Sequence, residues 1–258
     1  MIIGVDIGGT EIKAGLVSGK RILKKAIINT GKNKKEVIKN LIKCISVVFD
    51  KKVKGIGIGS PGPADYEKGV VGNTPNLNLK GVNLKKVLSK FKKKVIVEND
   101  ATCFVLGEAI RLKKKRVVGL TLGTGVGGGV VIDGKLLKGN IELGHCTIDF
   151  KGPKLGFNQG SLESYVSGKA IKRDYGKEPR NLSSMKAWNN IGKKLGIGVS
   201  NLINSFDPEV VVLGGSVSKA FSKFKSEMNK EINKRAVKKV KVVKGSEDSG
   251  ILGAASLV

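Results

Sequence analysis

Two glycine-bearing turns and one acidic tripeptide carry the residue types that phosphate chemistry needs. The turns are Asp6-Ile7-Gly8-Gly9-Thr10 and Leu122-Gly123-Thr124-Gly125, each behind an apolar run, and the tripeptide Glu98-Asn99-Asp100 lies between them. Phosphate requires close backbone approach and inward-pointing N–H groups, which glycine permits because it lacks Cβ and tolerates positive φ. We therefore expect both turns to bind phosphate and Asp100 to accept a proton from a hydroxyl group.

The first turn has side chains that suit a phosphate group and its metal ion. Glycine pairs also make ordinary hairpin turns, which is the alternative interpretation of this segment. Asp6 stands at the strand end, where a carboxylate can hold hydrated magnesium, and Thr10 and Lys13 follow within reach of phosphate. Together with Gly8 and Gly9, these residues form the cofactor-binding set expected at this turn.

Asp100 has two interpretations. It can cap the helix that begins near Ala101, because aspartate often accepts backbone N–H bonds at helix N-termini. It can also act as a general base that takes the proton of an acceptor hydroxyl while the oxygen attacks a γ-phosphoryl group. Asn99 would then offer amide donors to neighbouring sugar hydroxyls. The position between a strand end and a helix start favours the base.

The second turn extends into Gly123-Thr124-Gly125-Val126-Gly127-Gly128, which matches the dinucleotide-binding pattern G-x-G-x-x-G. In that motif a helix follows the glycines, whereas here the strand residues Val130-Val131-Ile132 follow. Dinucleotide binding is therefore disfavoured. Gly57-Ile58-Gly59-Ser60-Pro61-Gly62 matches the same pattern and is followed by proline, so it is rejected as a dinucleotide motif as well.

The segment Glu142-Leu143-Gly144-His145 holds the only histidine of the chain. A lone histidine is more often a structural residue, and metal binding needs more ligands than this segment supplies. Glu142 and His145 flank a glycine where the backbone can approach a ligand, and Glu163 follows. Two carboxylates and an imidazole are suited to hydrogen bonding with vicinal hydroxyls.

Apolar periodicity predicts two related β-rich lobes that position these residues, the first opening as an antiparallel meander. The elements predicted for the first lobe are strands at 2–5, 12–17 and 21–28, a helix over 37–49, a strand at 53–58, a helix over 84–91, a strand at 95–97 and a helix over 101–112. Those predicted after it are strands at 117–122 and 127–132, helices over 162–172 and 185–203, a strand at 210–213, and a closing helix, strand and helix. The lobes are expected to comprise residues 1–115 with 246–258, and residues 116–245.

The chain has 48 Lys and Arg residues against 21 Asp and Glu residues, which gives a formal net charge of +27. Such a charge attracts polyanions such as nucleic acid, acidic membrane surfaces or polyphosphate. Most of the excess is lysine in short clusters without interleaved aromatic residues for base stacking, such as those at 32–35, 92–94 and 113–115. We interpret these clusters as solvated helix surfaces.

Cys44, Cys103 and Cys146 are odd in number and form no C-x-x-C pair, which argues against a disulfide framework and favours free thiols. No run of 18 apolar residues occurs, and the N-terminal residues lack the basic segment typical of a secretion signal. These patterns predict a soluble, cytoplasmic protein without a membrane partner.

In combination and order, these motifs resemble the ROK family of sugar kinases. The resemblance spans nearly the whole chain and implies an α/β fold, the actin-like and Hsp70-like ATPase fold of the ribonuclease H-like class, with two lobes around a central cleft. The segments that carry it are Asp6-Ile7-Gly8-Gly9-Thr10, Gly57-Ile58-Gly59-Ser60-Pro61-Gly62, Pro75-Asn76-Leu77, Glu98-Asn99-Asp100, Leu122-Gly123-Thr124-Gly125-Val126-Gly127-Gly128-Gly129, Glu142-Leu143-Gly144-His145 and Leu213-Gly214-Gly215.

The resemblance implies that ATP with Mg²⁺ phosphorylates a hexose hydroxyl, with Asp100 as the base and the 6-hydroxyl of glucose as the expected acceptor. The residues implied to bind the sugar are Gly62, Asn76, Asn99, Glu142, His145 and Glu163. The residues implied to bind the nucleotide are Asp6, Gly8, Gly9, Thr10, Lys13, Gly123, Thr124, Gly125, Gly214 and Gly215. Asp6 is expected to hold the magnesium ion through water, and a homodimer is expected because relatives are commonly dimers.

Three alternatives stand beside this expectation. The acceptor can be an N-acetylhexosamine such as N-acetylmannosamine, and the charge of +27 makes polyphosphate a phosphoryl donor worth testing. The third alternative is a sugar-sensing or nucleic-acid-binding protein of the same fold. Repressors of the family carry an added N-terminal helix-turn-helix, whereas here the first strand begins at Ile2, so nucleic-acid binding is the weaker hypothesis.

Members of the family often bind a structural zinc ion through a histidine and the three cysteines of C-x-C-G-x-x-G-C-x-E. In the corresponding stretch of this chain, which ends at Glu163, the cysteine positions hold Lys154, Gly156 and Ser161. We therefore expect no zinc, and the loop that carries Glu163 must have a different support.

Overall fold

The computed structural model describes residues 1–74, 77–139, 141–156 and 158–258. The described chain divides into two compact units. Unit 1 contains Met1–Lys113 and Glu247–Val258, and unit 2 contains Lys114–Ser246, so unit 2 is inserted between two segments of unit 1. Across these ranges, none of the helices combines the length and the apolar character that a membrane span requires.

Unit 1 is built on a five-stranded sheet. The strands of unit 1 are β1 (Ile2–Ile7), β2 (Glu11–Ser18), β3 (Arg21–Asn29), β4 (Gly55–Ser60), β5 (Ala64–Asp65), β6 (Val70–Val71) and β7 (Lys94–Asn99). The sheet has the order β3-β2-β1-β4-β7, and β5 pairs with β6 in a separate ribbon. The first three strands are antiparallel, as predicted, because short turns join them, whereas β1, β4 and β7 are parallel. The carboxyl ends of these three parallel strands therefore meet at one edge.

The first two helices of unit 1 differ in how closely they match the predicted pattern. α1 (Lys34–Val48) begins where the Asn33 side chain accepts a hydrogen bond from the Glu36 N–H at 3.0 Å, and its apolar stripe is buried. α2 (Leu84–Val87) is shorter than predicted. The chain leaves the helical region at Leu88 (φ −95°, ψ 2°) and continues as a single 3₁₀ turn.

α3 (Asp100–Leu112) begins directly after β7, within one residue of the predicted start. A helix at the end of unit 1, Ser249–Ala255, packs on α3 and on the sheet at glycine positions. A Cβ at Gly107 of α3 would lie 1.8 Å from the Ser249 carbonyl oxygen, and a Cβ at Gly57 of β4 would lie 1.7 Å from the Ala254 carbonyl oxygen. Both positions require glycine because any side chain would collide with the backbone of this helix.

Unit 2 repeats the sheet plan of unit 1. Its strands are β8 (Val117–Leu122), β9 (Val126–Ile132), β10 (Lys135–Leu136), β11 (Lys154–Leu155), β12 (Asn158–Gln159), β13 (Val210–Gly214) and β14 (Lys241–Lys244). The five-stranded sheet has the order β10-β9-β8-β13-β14, with β8, β13 and β14 parallel and β9 antiparallel to its neighbours. The turn between β1 and β2 and the turn between β8 and β9 therefore occupy equivalent places.

The helices of unit 2 are α4 (Glu163–Val166), α5 (Gly168–Tyr175), α6 (Met185–Phe206) and α7 (Phe221–Arg235). α6 and α7 bury Trp188 and Phe224, whose ring centroids are 6.0 Å apart. The prediction of one continuous helix over 162–172 is wrong, because Ser167 is extended (φ −74°, ψ 160°) and separates α4 from α5. The Ser167 hydroxyl oxygen accepts a hydrogen bond from the Ala170 N–H at 3.1 Å and so caps α5.

Candidate active site

The carboxyl edge of the unit 1 sheet brings Asp6 and Asp100 together. Asp6 is paired with Gly59 in the β1–β4 register, and Gly59 is paired with Glu98 in the β4–β7 register. A Cβ at Gly59 would lie 3.4 Å from Asp100 Cα, so the start of α3 packs directly over this strand end. Ligands of open α/β sheets bind outside this edge, which makes the pair of aspartates a candidate site.

The two aspartates influence each other electrostatically. Burial raises the pKa of Asp6 to about 7, the charge of Asp100 contributes to the rise, and Lys13 opposes it. Lys13 lies directly opposite Asp6 in the β1–β2 ladder, so the two side chains share a face of the sheet. Burial also raises the pKa of Asp100, although hydrogen bonds from its own N–H and from the Ala101 N–H lower it in part. A bound cation would relieve the repulsion between the two carboxylates.

Asn99, and not Asp100, caps α3. Asn99 Oδ1 accepts a hydrogen bond from the Thr102 N–H at 3.1 Å, which is the bond of an N-cap residue. The cap interpretation of Asp100 is therefore wrong. With its oxygen fixed by the cap, Asn99 points Nδ2 toward Tyr66 and donates a hydrogen bond to the Tyr66 hydroxyl at 3.0 Å.

Tyr66 is a member of this cluster that carries no sequence motif. It reaches Asn99 from the segment between β5 and β6, 33 residues away in the chain, so no local pattern identifies it. Burial raises the pKa of Tyr66 to about 12. A Cβ at Gly62 would lie 2.9 Å from the Tyr66 hydroxyl and 3.5 Å from Asn99 Nδ2, so Gly62 joins the same cluster. Asn76, which was expected to bind the sugar, lies outside the described residues.

The first glycine turn presents its backbone N–H groups. The Gly8 N–H donates to the Glu11 carbonyl at 2.9 Å, and Thr30 donates through its hydroxyl to the Gly8 carbonyl at 2.6 Å and through its N–H to the Thr10 carbonyl at 2.9 Å. Within the described ranges, the N–H groups of Gly9 and Thr10 have no protein acceptor. The Gly8 and Thr10 carbonyls are already hydrogen-bonded within the protein, whereas the Gly9 and Thr10 N–H groups point to no acceptor in the described residues. The turn therefore suits an anion.

The second glycine turn has the same character. The Gly123 N–H donates to the Gly125 carbonyl at 2.9 Å, the Gly168 N–H donates to the Gly123 carbonyl at 2.7 Å, and the Lys169 N–H donates to the Thr124 carbonyl at 3.3 Å. Among the residues that the structure describes, the N–H groups of Thr124 and Gly125 have no acceptor. Each unit thus offers two adjacent backbone donors at the end of its first strand.

Positive φ does not explain the glycines of these turns, contrary to the expectation from sequence. None of the four turn glycines lies in the left-handed region. Close packing is the reason at two of them: a Cβ at Gly8 would lie 2.9 Å from the Glu11 carbonyl oxygen, and one at Gly125 would lie 2.6 Å from Glu163 Oε2.

Gly214 and Gly215 lie beside the second turn. Gly214 ends β13 and is paired with Thr121 of β8. Gly215 has a φ of +83°, and a Cβ there would lie 2.4 Å from the Leu122 carbonyl oxygen. Here glycine is required both by the left-handed conformation and by the close approach to β8.

Three predicted sugar-binding residues gather around the start of β9. Glu163 Oε2 accepts a hydrogen bond from the Val126 N–H at 2.7 Å. A Cβ at Gly144 would lie 2.1 Å from the Val126 carbonyl oxygen, so the segment before His145 packs on the same residue. His145 Nε2 lies 3.9 Å from Glu142 Oε2, with Glu142 exposed and His145 half-buried.

Hydrogen bonds support the loop that leads to Glu163. The Leu162 N–H donates to the Cys146 carbonyl at 2.9 Å and so joins the two ends of the loop. The Asp149 carboxylate accepts hydrogen bonds from the Tyr165 hydroxyl at 2.8 Å and from Lys194 Nζ at 3.1 Å, and these bonds lower the pKa of Asp149. Lys194 Nζ also lies 4.2 Å from the centroid of the Tyr165 ring.

The three positions where the family resemblance would place zinc-binding cysteines have other roles in this structure. Lys154 begins β11, Gly156 has a φ of +63°, and Ser161 Oγ lies 2.9 Å from Ser164 Oγ in a buried pair. In the described part of the chain, no group of three or more His, Cys, Asp and Glu side chains is placed to hold a metal ion. Cys44, Cys103 and Cys146 are free thiols.

Comparisons with known proteins agree with this geometry. The chain is 35% identical to the glucokinase of Thermotoga maritima, over 100% of this chain and 96% of the relative. It is 32% identical to the N-acetyl-D-glucosamine kinase of Aliivibrio salmonicida, over 100% of this chain and 99% of the relative. A solved structure of a ROK family glucokinase from Streptomyces griseus, in complex with glucose and AMPPNP, superimposes with a TM-score of 0.82 at 27% identity, covering 100% of this chain and 98% of that chain.

The structural similarity confirms the predicted actin-like ATPase fold. The model of the ROK family matches residues 2–258. The chain therefore belongs to the ROK family.

Proposed function

We propose that this ATP-dependent sugar kinase transfers the γ-phosphoryl group to the 6-hydroxyl of glucose, with Asp100 as the general base. The observation that carries the proposal is the position of Asp100. Its half-buried carboxylate lies beside Asp6 at the carboxyl edge of the sheet, in a chain similar to glucokinases along its whole length.

The surroundings of Asp100 suit proton abstraction. Asp100 Oδ1 is held by the Ala101 N–H at 2.8 Å, so Oδ2 can accept the proton of the sugar hydroxyl. The raised pKa makes the carboxylate a stronger base than an exposed aspartate. Asn99 donates one Nδ2 hydrogen to Tyr66 and has a second for a sugar hydroxyl.

The donors of unit 1 fit a magnesium ion. Asp6 and Asp100 offer hard carboxylate oxygens, and Mg²⁺ in kinases is commonly held by one or two carboxylates together with substrate phosphates. We assign Asp6 to hold the ion through water. The chemistry that magnesium supplies when bound is neutralisation of charge on the phosphates. Lys13, opposite Asp6, adds a second positive charge on the same face of the sheet.

The backbone amides of the two glycine turns are the proposed phosphate ligands. These are the N–H groups of Gly9 and Thr10 in unit 1 and of Thr124 and Gly125 in unit 2. Because hydrogen bonds within each unit already hold the carbonyls of Gly8 and Thr10 in the first turn and of Gly123, Thr124 and Gly125 in the second, the donors need little reorganisation when the anion binds. Gly8, Gly123, Gly214 and Gly215 complete the proposed nucleotide-binding set, and close backbone packing requires glycine at two of them, Gly8 and Gly215.

Glu142, His145 and Glu163 are the proposed sugar ligands of unit 2. Carboxylates accept hydrogen bonds from vicinal hydroxyls, and the imidazole can donate one. Their gathering around the start of β9 supports a common ligand. Sites that hydrogen-bond a substrate hydroxyl strongly reject analogues that lack it.

A coupled assay tests the proposal. Glucose, N-acetylglucosamine and N-acetylmannosamine are each combined with ATP or polyphosphate, with and without magnesium. We expect the highest kcat/KM for glucose with ATP and magnesium, and no turnover of 6-deoxyglucose, which should inhibit competitively. Phosphorylation of 6-deoxyglucose would contradict the assignment of the 6-hydroxyl.

An N-acetylhexosamine is the second candidate acceptor. It is favoured by the identity of 32% to an N-acetyl-D-glucosamine kinase along the whole chain. A kcat/KM for an N-acetylhexosamine at least tenfold above that for glucose would replace glucose as the substrate. Preference for polyphosphate over ATP would instead assign a donor-binding role to part of the +27 charge.

A further inference from the structure

The segment that contains Glu163 is bonded to the second glycine turn at both of its ends. At one end, Glu163 Oε2 accepts the Val126 N–H at 2.7 Å. At the other end, the first two N–H groups of α5, those of Gly168 and Lys169, donate to turn carbonyls at 2.7 and 3.3 Å. The short segment 163–169 thus accepts a hydrogen bond from the N–H that follows the turn and donates hydrogen bonds to two carbonyls of the turn.

The break at Ser167 makes this contact possible. In one continuous helix, the N–H groups of Gly168 and Lys169 would donate to carbonyls one turn earlier. Because Ser167 is extended, these N–H groups belong to the first turn of a new helix and are available to the glycine turn. The break in the helix, which the hydrophobic pattern did not predict, therefore supplies two hydrogen bonds to the glycine turn.

We infer that Glu163 is a positioning residue that couples sugar binding to nucleotide binding. The inference rests on the proposed function, in which Glu163 binds the sugar and the turn binds phosphate. Glu163 Oε2 fixes the Val126 N–H and with it the adjacent Thr124 and Gly125 amides, while Oε1 remains for a sugar hydroxyl. A sugar that holds this carboxylate in place also holds the turn in its anion-binding conformation, and by linkage the nucleotide favours sugar binding to the same extent.

Glycine at position 125 fits this arrangement. A Cβ at Gly125 would lie 2.6 Å from Glu163 Oε2 and would displace the carboxylate from its bond to the Val126 N–H. The carboxylate and the turn are therefore packed so closely that one cannot move without the other. Gly125→Ala and Glu163→Ala should disturb the same interaction.

The experiment measures MgADP binding by calorimetry, first without sugar and then with saturating glucose. In the wild-type protein, glucose should tighten MgADP binding. In Glu163→Ala, the dissociation constant without sugar should rise about tenfold, the scale of a hydrogen bond to a charged group, and glucose should no longer change it. Glu163→Gln keeps an oxygen acceptor for the Val126 N–H, so its dissociation constant without sugar should stay within about threefold of wild type.

Two further variants separate positioning from a general loss of charge or of folding. Glu178→Ala removes a half-buried carboxylate of the same unit, paired with Lys172, and should leave MgADP binding unchanged. Gly125→Ala should weaken MgADP binding, and the double variant with Glu163→Ala should lose no more than the weaker-binding single variant, because both act on one contact.

The outcomes distinguish the inference from the proposed function. Equal MgADP affinity of wild type and Glu163→Ala in the absence of sugar, or additive losses in the double variant, would overturn the inference and leave the kinase assignment intact. Failure of the wild-type protein to bind MgADP would count against the proposed function itself. If Glu163→Ala does not fold, as judged by circular dichroism, the comparison of Gly125→Ala and Glu163→Gln with wild type still decides.

Discussion

Asn99 and Tyr66 are joined by a hydrogen bond of 3.0 Å from Asn99 Nδ2 to the Tyr66 hydroxyl. The Asn99 amide is thereby held at both ends, because its oxygen also accepts the Thr102 N–H. Neither the cap nor the tyrosine contact alone would fix the direction of Nδ2. Their combination fixes the amide and leaves its second Nδ2 hydrogen for another acceptor.

Tyr66→Phe should raise the KM for the sugar about fivefold and leave kcat within about twofold. The substitution removes one neutral hydrogen bond, whose net contribution is about 1 kcal/mol, and frees the Asn99 side chain to rotate. Steady-state kinetics on the preferred hexose measures the effect. A fall in kcat at unchanged KM would place Tyr66 in the chemical step instead.

Asp100→Ala and Asp100→Asn should each lower kcat at least about a hundredfold, with sugar affinity much less affected. Because Asn99 supplies the N-cap of α3, both variants keep the cap bond to Thr102 and should retain the helix content of wild type. Turnover by pre-steady-state kinetics and helicity by circular dichroism are measured together. Near-normal turnover in a folded variant would remove Asp100 from the role of base.

Asp6→Asn should change how stability depends on pH. The pKa of Asp6 is raised from 3.8 to about 7 in the folded state, so between these values the folded protein keeps a proton that the unfolded chain has lost. The free energy of unfolding therefore falls as pH rises through this window. Asparagine carries no titrating proton and removes this loss.

Urea unfolding of the magnesium-free protein at pH 4 and pH 8 measures the effect. From pH 4 to pH 8, Asp6→Asn should gain stability relative to wild type by on the order of 2 to 4 kcal/mol. Asp65→Asn, at an exposed carboxylate of the same unit, is the control and should show no such gain. An equal pH dependence in wild type and Asp6→Asn would show that Asp6 is ionised in the folded protein near neutral pH.

Gly107→Ala should destabilise the protein by about 3 kcal/mol or more. At an exposed helix position, the same change stabilises by up to about 1 kcal/mol because alanine has the higher helix propensity. Here the added methyl group would lie 1.8 Å from the Ser249 carbonyl oxygen. The sign of the change in thermal unfolding therefore tests the packing of the helix Ser249–Ala255 on α3.

Tyr165→Phe should make the loop before Glu163 more accessible to trypsin, which can cleave after Lys151 and Lys154. Loss of the 2.8 Å bond to Asp149 removes about 1 kcal/mol of local stability, which corresponds to about fivefold faster cleavage if the loop must open first. Tyr175→Phe, which removes the hydroxyl that accepts a hydrogen bond from Asn190 Nδ2, is the matched control, and trypsin should cleave its loop at the wild-type rate. Equal rates for both variants would contradict a supporting role for Tyr165.

Much of the fold was predictable because apolar spacing and glycine turns act locally. The paired strands on either side of Gly8 and Gly123, and the strand-to-helix junction at Asp100, lie where the sequence pattern places them. The break at Ser167 has one local signal, because serine is a preferred N-cap residue. The apolar spacing of 162–172 hides this signal, and the contacts that the break allows are with carbonyls of the glycine turn more than 40 residues earlier.

The candidate site shows the same limit. Asp6 and Asp100 stand out in the sequence because each belongs to a local motif. Tyr66, in contrast, contributes through one long-range contact and has no distinguishing neighbours in sequence. For Glu163, the sequence predicts sugar binding but not the hydrogen bond from the Val126 N–H, because that bond requires α4 to lie against β9. Tertiary contacts, and not residue types, determine both.

The glycine-lined surface that receives Ser249–Ala255 has a consequence for biosynthesis. Strands β1 and β4 and helix α3 are translated well before this helix, since all of unit 2 comes between them. Residues 1–113 of unit 1 are therefore translated without the helix that covers Gly57 and Gly107, while unit 2 has all of its own elements and can fold first. We therefore expect unit 1 to complete its packing only when Ser249–Ala255 has been translated, after the whole of unit 2.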